Sequence, residues 1–168
     1  MATLFLLRHG NAGFGGPNVD DHDRSLNQTG VQASRAVGAS FVHRPVTFDL
    51  VLCSTAWRAR QTWEQATPYL DSPPDADYKR DLYLASAGAL QQRIKDLPDR
   101  AENVIIIGHN PGLHEIALFY CGGGDDDVVS HLGLEFPPAA LAVFHFDQPW
   151  ADLAGGAGRL IDYVTPER

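Results

Sequence analysis

Three short apolar runs constrain this chain more than any other feature of it. They are "TLFLL" (3–7), "FDLVLCS" (48–54) and "NVIIIG" (103–108). Their apolar centres are continuous rather than alternating, which marks strands covered on both faces. Between and after them lie stretches with helical spacing: "SLNQTGVQASRAVGASFVH" (25–43), "TAWRARQTWEQATPYL" (55–70), "LYLASAGALQQRIKDLP" (82–98) and "PGLHEIALFYCGGG" (111–124). Proline bounds the second and third, and a glycine run closes the fourth. A Pro- and Asp-rich turn is expected at 71–77. Late in the chain "AALAVFHFD" and "GRLIDYV" flank a Gly-rich turn and read as an antiparallel strand pair. Strand and helix therefore alternate. The fold class predicted is α/β: a single-domain three-layer sandwich over 1–168, with a mostly parallel central sheet and an antiparallel edge. A chain of 168 residues is long enough to bury such a core in one domain.

In sheets of this kind ligands bind beyond the carboxyl ends of the strands. Each of the three runs ends there in polar residues: Arg8 and His9 after the first, Ser54 and then Arg58 after the second, His109 after the third. Two arginines and two histidines on one rim make a pocket for a doubly charged oxyanion, phosphate above all, because guanidinium forks match its oxygens. One imidazole can attack phosphorus while the other supplies a proton or a positive charge. Fixed cations stabilise a phosphoryl group in flight directly, so this chemistry calls for no metal and no cofactor.

Taken together and in order, "LRHG" near the start, "STAWRARQT" after the second strand and "GHNPG" after a later one resemble the histidine phosphatase superfamily. The short length, "RSLNQTG" and "LYLASAGAL" are similar to its branch of small bacterial phosphohistidine phosphatases of the SixA type. The resemblance runs through about residues 3–146. It implies that His9 is the nucleophile that becomes phosphorylated, that Arg8 and Arg58 clamp the phosphoryl oxygens, and that His109 completes the pocket. Arg24, in "DRSLNQTG", stands where these short relatives carry a further phosphate-contacting arginine. Gly10 would let the backbone turn tightly and hold the His9 ring through its carbonyl, leaving the other nitrogen free. Relatives that cleave phosphate esters carry an acidic residue near the loop before the third helix. "LYLASAGAL" has none, with Asp81 just upstream and Asp20, Asp21 and Asp23 in the first loop as the remaining acids. An alkoxide needs a general acid to leave, and a protonated imidazole does not.

The expected function is therefore a metal-independent phosphatase, acting through a phosphohistidine on His9 upon protein phosphohistidine of a signalling phosphorelay. The alternatives are a phosphatase of small phosphorylated metabolites, or a phosphate-binding module without turnover. Expected partners are a phosphorylated protein or small molecule. The balance of 13 basic to 21 acidic residues, a formal charge of −8, argues against nucleic acid or an anionic membrane as the main partner. Eleven of the 13 basic residues are nonetheless arginines, enough for a focused oxyanion site. Cys53 and Cys121 have no metal-like spacing and fit free thiols of a reducing compartment. "MATLFLLRHG" lacks the basic and long apolar regions of a signal peptide, so a cytoplasmic location is expected. His22, His43, His114, His131 and His145 have no ligand spacing. "DDHDR" lacks the length and glycine of a calcium loop. "GFGG" has no following Lys-Ser or Lys-Thr, as a phosphate-binding loop would. "GGGDDD" (122–127) reads as a helix stop and a solvated acidic loop, and Ser54 has no GxSxG context to make it a nucleophile.

Overall fold

In the computed structural model, which describes residues 2–166, one seven-stranded sheet carries helices on both faces. Its strands are β1 (Ala2–Arg8), β2 (Leu50–Ser54), β3 (Asp77–Lys79), β4 (Asn103–Gly108), β5 (Cys121–Gly124), β6 (Leu141–Phe146) and β7 (Gly158–Val164). The helices are α1 (Gln28–His43), α2 (Trp57–Ala66), α3 (Ala87–Lys95), α4 (Gly112–Tyr120) and α5 (Asp126–Leu134). The strand order is β3-β2-β4-β1-β6-β7-β5. β1, β2, β3 and β4 run parallel, while β6 is antiparallel to both β1 and β7. The α/β sandwich with a mostly parallel sheet is thus as expected, and its antiparallel part is the β6–β7 side.

The continuous apolar runs are explained by two separate cores. Leu4 and Leu6 of β1, Leu52 of β2, and Val104 and Ile106 of β4 face α3, α4 and α5. Their neighbours Phe5, Leu7, Val51, Cys53, Ile105 and Ile107 face α1 and α2. A strand flanked by helices on both sides has no polar face to show. α1 presents Val37 and Phe41, and α2 presents Ala59, Trp63 and Ala66, to the second core at helical spacing. Among the described residues, no helix is long and apolar enough to cross a membrane.

Four local expectations need correction. The third helix begins at Ala87, not Leu82, because Ser86 caps it by accepting from Ala89 N–H, and Leu84 before it holds a left-handed backbone (φ 51°). Residues 122–124 are an edge strand rather than a bare stop: β5 pairs in parallel with β7. The acidic stretch after it is not merely a solvated loop. Asp125 accepts from the N–H groups of Asp127 and Val128 and starts α5, with acidic residues placed at the positive end of the helix. Finally, the turn at 71–77 gives way at Asp77 to the three-residue strand β3, which pairs with β2.

Candidate active site

β1, β2 and β4 are adjacent and parallel, so their carboxyl ends lie side by side. That placement delivers the chemistry. Arg8 is the last residue of β1 and His9 follows it, Ser54 ends β2, Arg58 lies in the first turn of α2, and His109 follows β4. His9 is 8% exposed, Arg58 2% and His109 3%. A guanidinium this buried is tolerated only with its donors engaged.

The hydrogen bonds settle both imidazole tautomers. His9 Nδ1 lies 2.7 Å from the Gly10 carbonyl oxygen, which can only accept, so Nδ1 carries the hydrogen. Its Nε2 is then the unprotonated nitrogen, and it accepts from Arg58 Nε at 3.4 Å. His109 has the opposite arrangement. Its Nδ1 is 3.5 Å from Arg58 Nη2, a group that only donates, so Nε2–H donates to Ser54 Oγ at 2.7 Å. The two rings are 5.0 Å apart between centroids.

Burial in this cationic pocket pushes both histidines down. His9 falls from 6.5 to about 4, first through desolvation and then through Arg58, Arg8 and Arg24, against the bond to Gly10. His109 falls to about 3, through desolvation and then the His9 ring and Arg58. Both rings are therefore neutral at physiological pH. The neutral form is what a nitrogen nucleophile requires.

The loop beneath His9 is fixed by close backbone contact. Gly10 N–H donates to Thr62 Oγ1 at 2.9 Å, and the same hydroxyl donates to the Arg58 carbonyl at 2.8 Å. A Cβ on Gly10 would come within 2.8 Å of the Gly30 carbonyl, and one on Gly30 within 2.1 Å of the Asn11 carbonyl. The turn after β1 and the first turn of α1 thus pack backbone to backbone. Asn27 caps α1 by accepting from Gly30 N–H at 2.8 Å.

Arg8 donates through Nη1 to the Phe136 carbonyl at 3.0 Å, and Asn110 Nδ2 donates to the same oxygen at 2.8 Å. Arg8 Nε is buried without a hydrogen-bond partner among the described residues. Among the described residues no hydrogen bond joins Arg24 to His9. Arg24 reaches the pocket through Asp21, whose Oδ1 accepts from Arg24 Nε at 3.0 Å and Nη2 at 2.9 Å. Asp21 Oδ2 accepts from Arg58 Nη2 at 3.0 Å and from the Tyr83 hydroxyl. The Tyr83 hydroxyl, followed by Arg58 and Arg24, holds the Asp21 carboxyl far below the usual carboxylate range. Beside the pocket a cavity of about 390 Å³ is lined by His22, Asp23, Ser25, Thr55, Trp57 and Arg60.

The structure brings Arg8, His9, Arg58 and His109 together, with Arg24 one residue further out. Sequence reasoning missed five partners: Ser54 as the support of His109, Thr62, Tyr83 as a donor to Asp21, Asn110 and the Phe136 carbonyl. Thr62 had a signal, since it sits four residues after Arg58 on the same helical face. The Phe136 carbonyl had none, because any residue type supplies a carbonyl.

The model of the histidine phosphatase superfamily (branch 1) matches residues 4–104. The chain belongs to that superfamily. A Mycobacterium tuberculosis (strain H37Rv) relative, itself uncharacterised, is 30% identical over 162 residues, spanning 95% of this chain and 99% of that protein. A crystal structure from Agrobacterium tumefaciens, provisionally assigned as the phosphohistidine phosphatase SixA, is 28% identical with a TM-score of 0.83, covering 98% of both chains. The protein histidine phosphatase SixA in complex with tungstate shares the fold at 23% identity and a TM-score of 0.77, over 97% of this chain and 96% of that one. Within the superfamily, this chain sits structurally beside its SixA members.

Proposed function

We propose that this chain is a phosphatase that works through a phosphohistidine intermediate on His9 and acts on protein phosphohistidine. The observation that carries the reading is the pairing of His9 Nδ1 with Gly10, which leaves Nε2 unprotonated beside the Arg58 guanidinium and the His109 ring. In the first step the Nε2 lone pair forms a bond to phosphorus as the bond from phosphorus to the substrate nitrogen breaks. A substrate imidazole protonated on its other nitrogen leaves as neutral imidazole and keeps that hydrogen. Arg8 and Arg58 hold the equatorial oxygens, and each charge-assisted hydrogen bond contributes roughly 1.5–3 kcal/mol. Water then attacks phosphorus, releasing inorganic phosphate and restoring Nε2. The charge stabilisation comes from guanidinium groups, so the reading is of a metal-independent enzyme.

The nature of the leaving group follows from the acids within reach. Asp21 is the carboxyl that touches the pocket, and its partners keep it ionised. Freed from them it would return toward the ordinary carboxylate range, about 3.9, and remain ionised at pH 7. It is therefore a poor proton donor to an alkoxide, whereas an imidazolium needs none. Similarity to proteins named as phosphohistidine phosphatases supports the same substrate class, and the tungstate held by one of them supports a seat for a tetrahedral oxyanion.

The test compares dephosphorylation of a phosphohistidine-bearing phosphotransfer domain with that of para-nitrophenyl phosphate and a panel of sugar phosphates, with and without EDTA. The expected result is a kcat/KM at least tenfold higher for the phosphoprotein, unchanged by EDTA. An untouched phosphoprotein beside rapid turnover of a metabolite would transfer the assignment to small-molecule substrates. Phosphate binding without turnover of anything would reduce the site to a binding module.

A further inference from the structure

Asp21 is held as an oxyanion ligand would be held. Its carboxylate accepts a two-point fork from Arg24, a third bond from Arg58 Nη2 and a fourth from the Tyr83 hydroxyl. Two guanidinium groups and a phenol are a donor set suited to phosphate, and they use all four acceptor directions of the carboxylate.

The donors of Arg58 can be counted. A guanidinium has five N–H groups. Nε is directed at His9, Nη1 donates to the Asp21 backbone carbonyl at 2.6 Å, and Nη2 serves both Asp21 Oδ2 and His109 Nδ1. A single N–H on Nη1 is left over. A phosphoryl group therefore cannot take a two-point grip on Arg58 while Asp21 keeps its bonds. The Asp21 side chain is 48% exposed and sits in the short 3-10 turn Asp21–Asp23, so it can swing outward without opening a core.

We propose that Asp21 is an internal competitor for the phosphoryl seat, displaced from Arg58 by the incoming phosphoryl group and returning to help inorganic phosphate leave. The inference rests on the phosphatase reading. A tethered group competes at an effective concentration in the millimolar range, which is enough to contest a product of similar affinity. A phosphoryl dianion brings more charge and three oxygens to the exchange and prevails over a carboxylate. A singly charged carboxylate ligand does not. Asp21 thereby sets both the ease of product release and the preference for dianions.

Two measurements decide the matter: calorimetric titration with inorganic phosphate, and phosphate inhibition of para-nitrophenyl phosphate hydrolysis, for wild type and Asp21→Asn. The asparagine keeps the shape and removes the charge that competes. Phosphate should bind the variant roughly tenfold more tightly, with KM and the inhibition constant falling together. If Asp21 merely oriented Arg58, the variant would bind phosphate more weakly. Equal or weaker binding therefore overturns the proposal. Tyr83→Phe provides the second variant, because it removes one donor from the carboxylate and leaves both arginines in place. It should tighten phosphate about two- to threefold, and no tightening there overturns the proposal even if Asp21→Asn does not fold. Failure of both wild type and Asp21→Asn to bind phosphate would overturn the phosphate-site reading itself, whereas binding by wild type without tightening overturns only the exchange.

Discussion

Replacing Ser54 with alanine tests whether His109 is held by its hydrogen bonds or only by packing. Ser54 is fully buried, and its Oγ accepts from His109 Nε2–H at 2.7 Å and from Ala56 N–H at 3.2 Å. Ser54→Ala deletes one oxygen and strands two buried donors. Each stranded donor costs roughly 1–3 kcal/mol, and the longer bond to Ala56 belongs at the low end, so the sum is about 2–4 kcal/mol. The catalytic effect has a separate origin. Without Ser54 the His109 ring can take the other tautomer, whose Nδ1–H would oppose Arg58 Nη2, and the ring would turn away from His9. A group displaced by about 1 Å beside the reacting centre can cost roughly 10²-fold, so turning the His109 ring without removing it should lower kcat by about 10- to 100-fold. Urea denaturation gives the first number and steady-state hydrolysis of para-nitrophenyl phosphate gives the second. A stability loss below about 0.5 kcal/mol would refute the reasoning, since that lies under the cost of one stranded donor. An unchanged kcat would show that the tautomer of His109 does not matter.

Thr62→Val keeps the shape but removes the acceptor of Gly10 N–H, so denaturation should show a loss of about 1–2 kcal/mol, and para-nitrophenyl phosphate assays a lower kcat. Arg58→Lys keeps the charge, but an ammonium cannot engage His9, Asp21 and His109 at once, and kcat/KM should fall roughly 10- to 100-fold. Stability should also fall in mild acid. His9 titrates at about 4 in the folded protein and near 6.5 when unfolded, so between these values the unfolded chain binds more protons. The contribution is complete above about pH 6.5 and is lost as pH falls toward 4, by roughly 3 kcal/mol for this one ring. Urea midpoints at pH 7, 5.5 and 4.5 should follow that slope, with a shallower one in His9→Ala.

The alternation of buried strands and helical stretches made the sheet and the convergence of Arg8, Arg58 and His109 legible, because continuous apolar runs require cover on both faces. β5 was less legible: Gly122 to Gly124 carry no side-chain pattern, and only pairing with β7 makes them a strand. α5 was hidden because its capping Asp125 lay inside an acidic run that looks solvated. Arg24 lies near the site, and its link to it through Asp21 depends on a loop conformation that spacing does not encode. The support of Arg8 by Phe136 lay beyond reach for the same reason, since a backbone carbonyl 128 residues away leaves no mark on the sequence.

The central claim is that His9 Nε2 carries the phosphoryl group between the two steps. Rapid quenching of the enzyme during turnover, under base rather than acid, followed by peptide mass spectrometry and phosphorus NMR, tests it most directly. The expected result is an acid-labile, base-stable phosphoryl group on His9 at Nε2, absent from His9→Ala. A phosphoryl group on His109, on Nδ1 of His9, or on any other side chain would contradict it.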